Sequence, residues 1–480
     1  MLLRSANRTS KPQRERMLFE HSSEFSCPVS RLFSYHEQAG AINRLIPPWE
    51  PASIVSSNDS LLVGSLVAVK NKIGPIYQTW NAEHTEYVPN ELFVDELRSG
   101  PFARWKHEHR FVSTSDSASR LTDRIELQLH AAPMSNVLHG WVESKLKAMF
   151  RFRHRITADD LKFAESLPTT GRKLRIGVSG SSGMIGRRTI ELARVLGIDV
   201  VRSIRPQSTQ APSRWPRGVI SAPEDHLDAF EDLDAWIHLA GAGIAEKRWT
   251  NSYKQAIKNT RVDSTKKLVA RLSQLQSPPK ALICASGIGI FGNRGDERLD
   301  ESSSVEQSAT GDDFLAQVAR EWEAAAMHYS DRSGRVALAR FGVVLHPRSG
   351  ALSKMLLPFK LGTGGPMGSG KQYWPWVHID DAASILLTLA LASDCNGPVH
   401  VVAPECVTNR DFSAVLAKVL HRPSWLPAPA LALRIALGEM ADALLLASAR
   451  AVPKVLLDSG YQFRFPTLES ALRNVLGSEL

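Results

Sequence analysis

The apolar and polar positions in the first part of the chain predict strands followed by a long helix. Two segments, 105–111 and 125–130, alternate apolar or histidine side chains with charged or polar ones, which is the two-residue period of a half-buried strand. After Pro133 the spacing becomes helical, with one apolar face at Val142, Leu146, Met149 and Phe150. We therefore predict an α+β domain over residues 17–165, in which an antiparallel sheet wraps on a C-terminal helix.

The second part opens on a short apolar strand, a glycine-rich turn and an amphipathic helix. Residues 174–178 form the apolar run, and the helical pattern extends from Arg187 to Leu196. Strand, glycine turn and helix in this order begin a dinucleotide-binding α/β fold with a doubly wound parallel sheet. The cofactor-binding residues predicted in the turn are Gly180, Ser181, Ser182, Gly183, Met184, Ile185 and Gly186.

The three glycines of this turn have different physical roles. Gly180 permits the tight turn out of the strand, Gly183 lets the backbone approach a pyrophosphate, and Gly186 lets the helix lie close to the strand. The helix N-terminus then offers N–H groups and the positive end of the helix dipole to the phosphates.

The second predicted strand, 197–205, determines the expected cofactor preference. It ends in Ile204 and Arg205, 19 residues after Gly186, where an NAD-selective site usually has a carboxylate for the ribose 2′-hydroxyl. A guanidinium instead favours a 2′-phosphate, because its planar fork makes charge-assisted hydrogen bonds to phosphate. NADP rather than NAD is therefore predicted, and the alternative for Arg205 is an exposed surface arginine.

The next predicted strand, 235–241, ends in residues that leave room for the adenosine half of the cofactor, namely Leu239, Ala240 and Gly241. The stretches 179–186 and 238–241 resemble the extended short-chain dehydrogenase/reductase superfamily, the NAD-dependent epimerase/dehydratases. Further stretches resemble its sugar-nucleotide epimerase-like branch, at 244–250, 340–345, 361–370, 374–381 and 459–465. The resemblance covers about residues 172–480 and implies a nicotinamide cofactor and a nucleotide-sugar-like small-molecule substrate.

The resemblance also assigns individual positions. It implies that Ile204 and Arg205 contact the adenosine ribose and that Leu239 and Ala240 lie on the adenine side. It further implies that Arg261, on the helix behind the cofactor, is a second phosphate partner, and the alternative is a helix-surface arginine.

The first part of the chain is similar to the START/polyketide-cyclase-like (SRPBCC) helix-grip fold. Residues 19–33 look like that fold's first strand and helix, and some members of the epimerase-like branch carry such a domain in front. The resemblance implies an apolar ligand between the sheet and the helix. His107 and His109 lie on one strand face, but no third ligand with suitable spacing is visible, so we predict no metal site.

The usual proton relay of the superfamily is missing from the sequence. Ser286 occupies the serine position at the end of the strand 281–289, and it is predicted to hydrogen-bond the reacting oxygen of the substrate. The Tyr-x-x-x-Lys positions fall on Leu315 and Ala319, neither of which carries a phenol or an amine. Either another group performs the acid/base work of an NADP-dependent oxidoreductase or epimerase-like enzyme acting on a carbonyl or sugar-nucleotide-like substrate, or the domain binds NADP without turning it over and reports its level to a partner. In the second case the chain is a regulatory protein that senses NADP and binds a hydrophobic ligand in its first domain. The acid/base candidates are Ser286, Asp312, Asp313, Lys371, Tyr373 and His378.

The stretch 365–371 has the G-x-x-x-x-G-K spacing of a P-loop but is not predicted to be one. The following residue is Gln372 rather than Ser or Thr, and neither a preceding strand nor a following helix is indicated. It is interpreted as a loop over the substrate cleft, with Lys371, Tyr373 and Trp374 as substrate contacts. His378 is interpreted as holding a strand-to-helix turn rather than as a catalyst.

Composition adds limits to this interpretation. The 480 residues carry a formal net charge of +9, of which the stretch 1–16 contributes +4, so the charge is not taken as a sign of nucleic-acid binding. The four scattered cysteines favour free thiols and a cytoplasmic location, and no membrane span is predicted. The resemblance implies a homodimer.

The predicted divisions of the chain are a basic flexible tail (1–16), the helix-grip domain (17–165), a linker (166–171), the cofactor domain with its substrate lobe (172–425) and a C-terminal helical domain (426–480).

Overall fold

The computed structural model describes residues 16–73, 76–129, 135–204, 215–306, 313–331 and 334–478. The chain divides into two compact units, of which the first comprises residues 1–37 and 50–158 and the second comprises residues 38–49 and 159–480. The predicted tail, 1–16, lies outside the described residues except for Arg16, which begins the first strand. The short segment 38–49 belongs to the second unit although the sequence pattern assigned it to the first.

Among the described residues up to Ala164 the structure has seven strands and three α-helices. They are β1 (Arg16–Phe25), α1 (Val29–Glu37), α2 (Ala41–Arg44), β2 (Ser53–Ser57), β3 (Leu66–Ile73), β4 (Ile76–Val88), β5 (Leu92–Ser99), β6 (Arg104–Ser115), β7 (Ala118–Gln128) and α3 (Ser135–Ala164).

The first unit is an antiparallel sheet that buries one face against a long helix. The strand order is β1-β7-β6-β5-β4-β3-β2, and the alternation predicted around His107 and Ile125 falls on β6 and β7. Apolar side chains of the sheet, including Phe19 and Ile125, pack on Leu146 and Phe150 of α3 in one cluster. Burying this cluster holds the helix on the sheet, since apolar burial contributes about 25 cal/mol per Å². The predicted helix-grip arrangement is confirmed.

The second unit contains the remaining elements. They are β8 (Arg175–Ser179), α4 (Met184–Val195), β9 (Asp199–Ile204), β10 (Val219–Pro223), β11 (Ala235–His238), α5 (Asn251–Asn259), α6 (Val262–Leu272), β12 (Ala281–Gly287), β13 (Arg298–Leu299), α7 (Phe314–Met327), β14 (Arg335–Phe341), β15 (Val343–Leu345), α8 (Gly350–Lys360), β16 (Trp376–His378), α9 (Ile379–Leu391), β17 (Gly397–Val401), α10 (Asn409–Leu420), α11 (Ala430–Leu437), α12 (Glu439–Ala441), β18 (Arg450–Ala451), α13 (Lys454–Asp458) and α14 (Leu468–Leu476).

The main sheet of this unit is parallel and doubly wound, as predicted. Its order is β10-β9-β8-β11-β12-β14-β17, so the chain runs outward from β8 in one direction and then from β11 in the other. Helices α4 and α9 pack together, as do α6 and α7. The order reverses between β8 and β11, and sheets of this class bind ligands in a crevice outside the carboxyl ends of the strands at this point.

The C-terminal part adds helices and two small parallel sheets to this unit. Strands β15 and β16 pair with each other, as do β13 and β18, and a second apolar core joins α8, α10 and α14. None of the helices in the described part of the chain has both the length and the apolar character needed to cross a bilayer. All four cysteines are free thiols.

Candidate functional site

The glycine turn between β8 and α4 closes tightly on the end of β11. Gly180 has a positive φ of 73°, and a Cβ there would lie 2.4 Å from the carbonyl carbon of Leu239. A Cβ on Gly186 would lie 2.6 Å from the carbonyl oxygen of Gly180, so only glycine lets α4 begin this close to the turn. Gly183 is the N-cap of α4, and no side chain caps this helix terminus. The turn therefore presents backbone N–H groups at the switch point, which suits a phosphate group.

A chain of buried polar side chains lies beneath the turn. Ser179 Oγ is 2.5 Å from His238 Nδ1, and His238 Nε2 is 3.0 Å from Thr265 Oγ1. Burial lowers the pKa of His238 to about 4, so the ring is neutral at pH 7. The indole of Trp236 donates to Ser179 Oγ at 3.3 Å. These contacts fix the ends of β8 and β11, and therefore the two sides of the crevice.

Two arginines that the sequence interpretation did not single out lie beside the turn. Arg202 of β9 donates to Ser181 Oγ at 3.1 Å, and its guanidinium lies 4.7 Å from the ring centre of Trp215. The guanidinium of Arg187, in the first turn of α4, lies 5.2 Å from the same ring. Burial, and then the charge of Arg187, lowers the pKa of Arg202, and no described carboxylate forms an ion pair with either group.

This pair places two guanidinium groups beside the turn, whereas the arginine predicted from the sequence lies in a segment that the structure does not describe. Arg205 and the rest of 205–214 lie outside the described residues, so the role predicted for Arg205 stays a prediction, and the described part of the predicted strand is β9, Asp199–Ile204. The sequence could have indicated Arg187, because this residue directly follows Gly186 of the glycine turn. The sequence could not indicate Arg202, because its contact with the turn depends on how β9 lies beside β8.

Arg261 lies against Gly241, which follows strand β11. It is the N-cap residue of α6, and a Cβ on Gly241 would lie 3.2 Å from its guanidinium carbon. Its guanidinium also stacks over the ring of Trp322 at 5.2 Å, and burial lowers its pKa to about 10. Arg261 is thus partly buried next to Gly241 rather than on an open helix surface.

Ser286 sits at the end of β12 in a buried hydrogen-bonded group. Its Oγ donates to Glu323 Oε1 at 2.7 Å, and Arg340 binds both oxygens of Glu323 at 2.8 Å. The serine proton is therefore directed at Glu323, and donation to a substrate oxygen requires rotation of the hydroxyl. Arg340, on the adjacent strand β14, was not identified from the sequence as a partner of this group.

The helix that normally carries the Tyr-Lys pair begins as predicted but has neither side chain. Asp313 caps α7 by accepting from the backbone N–H of Leu315 and Ala316, which gives this acid/base candidate a structural role. Ala319 is buried, and Asp312 lies outside the described residues. A cavity of about 420 Å³ adjoins the start of this helix, with Asn293, Asp313, Phe314, Arg434 and Glu439 in its wall.

The other predicted substrate contacts occupy different environments. Lys371 is exposed, whereas Tyr373 is half-buried with the guanidinium of Arg450 5.0 Å from its ring centre. Trp374 is 4% exposed, and it packs on Phe412 in the core of the C-terminal part.

His378 holds a strand-to-helix turn, in agreement with the interpretation of the sequence. It is the N-cap of α9, accepts from the N–H of Asp380 at 3.0 Å and lies 3.1 Å from Asn474 Oδ1 through its other nitrogen. The P-loop-like stretch has neither a strand before it nor a helix after it, in line with its exclusion as a phosphate site.

The parallel sheet and the turn at its switch point define a Rossmann-like dinucleotide-binding protein. A family model for the NAD-dependent epimerase/dehydratase family matches residues 176–402. A model for polyketide cyclase/dehydrase and lipid transport matches 26–166, and one for a domain of unknown function matches 428–475. The epimerase family protein YfhF of Bacillus subtilis is 38% identical over 308 residues, which cover 63% of this chain and 98% of that protein. The chain belongs to this epimerase family.

Solved structures agree with this assignment. The nucleoside-diphosphate sugar epimerase from Corynebacterium glutamicum is similar with a TM-score of 0.76 and 28% identity, over 96% of this chain and 90% of that chain. The human epimerase family protein SDR39U1, solved with NADPH, is similar with a TM-score of 0.56 and 31% identity, over 63% of this chain and 99% of that chain. The first of these matches extends over both units of the present chain.

Proposed function

We propose that the second unit binds NADP(H) and uses it in an oxidoreductase or epimerase-type reaction on a carbonyl or sugar-nucleotide-like substrate. The observation that carries the proposal is the turn of Gly180 and Gly186, closed against Leu239, with two arginines beside it. When bound, the nicotinamide supplies a hydride acceptor or donor. The protein's part is to hold the cofactor's phosphates at α4 and to orient the substrate oxygen near Ser286.

The preference for NADP rests on Arg187 and Arg202. Two guanidinium groups lie over the same Trp215 ring with no described carboxylate to neutralise them, so a dianionic phosphate would relieve their mutual repulsion. Their place beside Ser181 puts this positive charge at the turn rather than at the substrate end of the crevice. The human relative solved with NADPH supports the same preference.

Calorimetry with NADPH and NADH tests this part of the proposal. We expect the wild type to bind NADPH more tightly, because only NADPH carries the 2′-phosphate. Substitution of Arg202→Gln or Arg187→Gln is expected to weaken NADPH binding about 10- to 100-fold, the equivalent of one charged hydrogen bond, and to change NADH binding little. The matched control is Arg271→Gln, which removes an arginine of helix α6 that pairs with Glu224. Equal affinities for the two nucleotides in the wild type would contradict the preference.

Ser286, Glu323 and Arg340 are the groups we propose to act at the reacting end. The Arg340 guanidinium holds the Glu323 carboxylate, which in turn accepts from Ser286, so the hydroxyl is fixed at the carboxyl end of β12. On rotating, Ser286 can donate to a substrate oxygen while Glu323 keeps its bonds to Arg340. The remaining predicted substrate contacts, Lys371, Tyr373 and Trp374, stay proposals, with Lys371 the most accessible of the three.

A second candidate function is favoured by helix α7, where Leu315 and Ala319 replace the Tyr-Lys pair. In that case the unit binds NADP without turnover and reports its level to a partner. Incubation with NADP(H) and a panel of carbonyl compounds and sugar nucleotides separates the two functions. Net oxidation or reduction of the cofactor, or epimerisation of a sugar nucleotide without net change in the cofactor, supports the enzyme if Ser286→Ala abolishes it. NADPH binding with no turnover across the panel supports the sensor.

Three further expectations belong to the same proposal. An apolar ligand in the first unit is supported by the match to the lipid-transport family model and by the apolar cluster around Phe150. A homodimer is supported by the exposed apolar side chains of α11, where Leu431 and Ile435 are 68% and 69% exposed. A cytoplasmic location is supported by the free thiols.

A further inference from the structure

A cluster of histidines and aspartates occupies the inward face of the sheet in the first unit. Asp95 of β5 lies directly across from His107 of β6, and Asp123 of β7 lies directly across from His109. Side chains two residues apart share a face, so the register brings all four to one patch of the sheet. His154 of helix α3 meets this patch from the other side, with its Nε2 2.5 Å from Asp123 Oδ2.

Three of these side chains converge on one point. His107 Nδ1 lies 3.3 Å and His109 Nε2 lies 3.4 Å from Asp95 Oδ1, and one ligand atom from each residue lies within 4.8 Å of the other two. Ligand atoms at tetrahedral positions around a metal, with bonds of about 2.0–2.1 Å, are separated by about 3.3 Å. The two distances to Asp95 Oδ1 therefore match the edges of a tetrahedral set of ligands.

The opposite nitrogens of both rings face a second carboxylate. His107 Nε2 donates to Asp123 Oδ1 at 2.8 Å, and His109 Nδ1 lies 2.6 Å from the same oxygen. Metal-binding histidines usually donate their second ring N–H to a carboxylate, which fixes the tautomer and directs the bare nitrogen at the metal. Asp123 has this position for His107, and His154 fixes Asp123 in turn, whereas His109 Nδ1 lies close to Asp123 without a hydrogen bond to it.

The two rings present these nitrogens side by side. The ring centres of His107 and His109 lie 3.8 Å apart, and one nitrogen of each ring faces the same oxygen of Asp95. The negative charge of the Asp95 carboxylate favours a cation bound between these three atoms.

We propose that Asp95, His107 and His109 bind a divalent first-row transition metal ion of the zinc class, oriented by Asp123. Two imidazoles and one carboxylate form the donor set of metal sites that keep a position open for water or a ligand. Asp95 and His109 are partly accessible, with side chains 19% and 12% exposed, whereas His107 is 4% exposed. The open position is therefore expected to bind an oxygen donor of a molecule held in the first unit.

The competing arrangement is a metal-free cluster of ion pairs. In it, burial lowers the pKa of His107, but Asp95 and Asp123 more than offset this and raise it to about 9. A proton then takes the place of the metal between His107 and Asp95. The two arrangements differ in a measurable way, because only the first binds zinc with an affinity that depends on Asp95.

The test uses the full chain, freed of metal with a chelator and then titrated with Zn²⁺ in a calorimeter. We expect one Zn²⁺ per chain, and Co²⁺ in its place is expected to give the visible absorption of a tetrahedral nitrogen- and oxygen-bound ion. Substitution of Asp95→Asn or His109→Gln is expected to abolish this absorption and to weaken Zn²⁺ binding more than 100-fold. Asp123→Asn is expected to keep the site but to weaken it about 10- to 100-fold.

A matched control and a folding check accompany these variants. His21→Gln removes a histidine on the same sheet face that packs against His154 and is not one of the three ligands, so Zn²⁺ affinity is expected to stay within about threefold. Circular dichroism establishes that each variant is folded before it is titrated. The proposal is overturned if the folded wild type binds neither Zn²⁺ nor Co²⁺, or if Asp95→Asn binds Zn²⁺ as tightly as the wild type.

Discussion

At the residue scale, His238 of the cofactor unit is a buried histidine whose hydrogen-bond partners are hydroxyl groups rather than a charged group. Its two ring nitrogens face the hydroxyl groups of Ser179 and Thr265, and it has no carboxylate partner among the groups that set its pKa. A neutral imidazole can satisfy both hydroxyl groups by donating to one and accepting from the other. The ring therefore links β11 to β8 and α6 without requiring a counter-ion in the core.

This environment predicts a loss of stability in mild acid. Burial lowers the pKa of His238 to about 4 in the folded chain, whereas an unfolded histidine has a pKa of about 6.5. The unfolded state therefore takes up the proton first, so stability is complete above about pH 6.5 and falls as the pH drops towards 4, by about 3 kcal/mol. His238→Gln removes this contribution. Denaturant unfolding at pH 8 and pH 4 should show a smaller difference for the variant, and equal differences would contradict the assignment.

At the element scale, helix α4 can begin this close to the glycine turn only because residue 186 has no side chain. A Cβ on Gly186 would overlap the carbonyl oxygen of Gly180 at 2.6 Å and approach Ser181 Cα at 3.0 Å. Both neighbours are backbone atoms, so the helix itself has to move. Because the N-terminus of α4 is the proposed phosphate site, this movement should affect binding as well as stability.

Gly186→Ala is therefore expected to reduce the free energy of unfolding by about 1–3 kcal/mol and to weaken NADPH binding. The matched control is Gly140→Ala in helix α3, where a Cβ meets no atom within 4 Å. Alanine is the better helix former, so this control should gain about 0.5–1 kcal/mol and bind NADPH as the wild type does. Unfolding and calorimetry on both variants test the pair, and wild-type binding by Gly186→Ala would show that the close approach is not needed.

The sequence predicted those features that a short segment determines by itself. The β8–turn–α4 unit and the alternating strand β6 follow from local spacing, and the end of β12 places Ser286. Asp95 could not be found in this way, because its place beside His107 depends on the register of two strands. Arg202 reaches Ser181 only because β9 pairs with β8. Local pattern predicts elements, whereas register and strand order determine which side chains meet.

At the scale of the whole chain, a buried ion network joins distant parts of the sequence within the second unit. Arg44 of α2 binds both oxygens of Asp160 at 2.7 Å and also binds Asp380. Arg188 binds Asp380 at 2.6 Å, and Arg464 binds Asp160 at 2.7 Å. This network accounts for the segment 38–49 lying with the second unit, an outcome that no local pattern indicates.

Loss of one member should leave buried charge without its partner. Arg44→Met removes the guanidinium shared by Asp160 and Asp380, whose side chains are fully buried, and is expected to lower the free energy of unfolding by about 3–5 kcal/mol. The matched control is Arg98→Met, which breaks the exposed pair with Glu83 and should cost far less, because solvent screens the charges of an exposed pair. Denaturant unfolding measures both. A cost for Arg44→Met no larger than that of the control would mean that apolar packing, rather than this network, holds the segment in place.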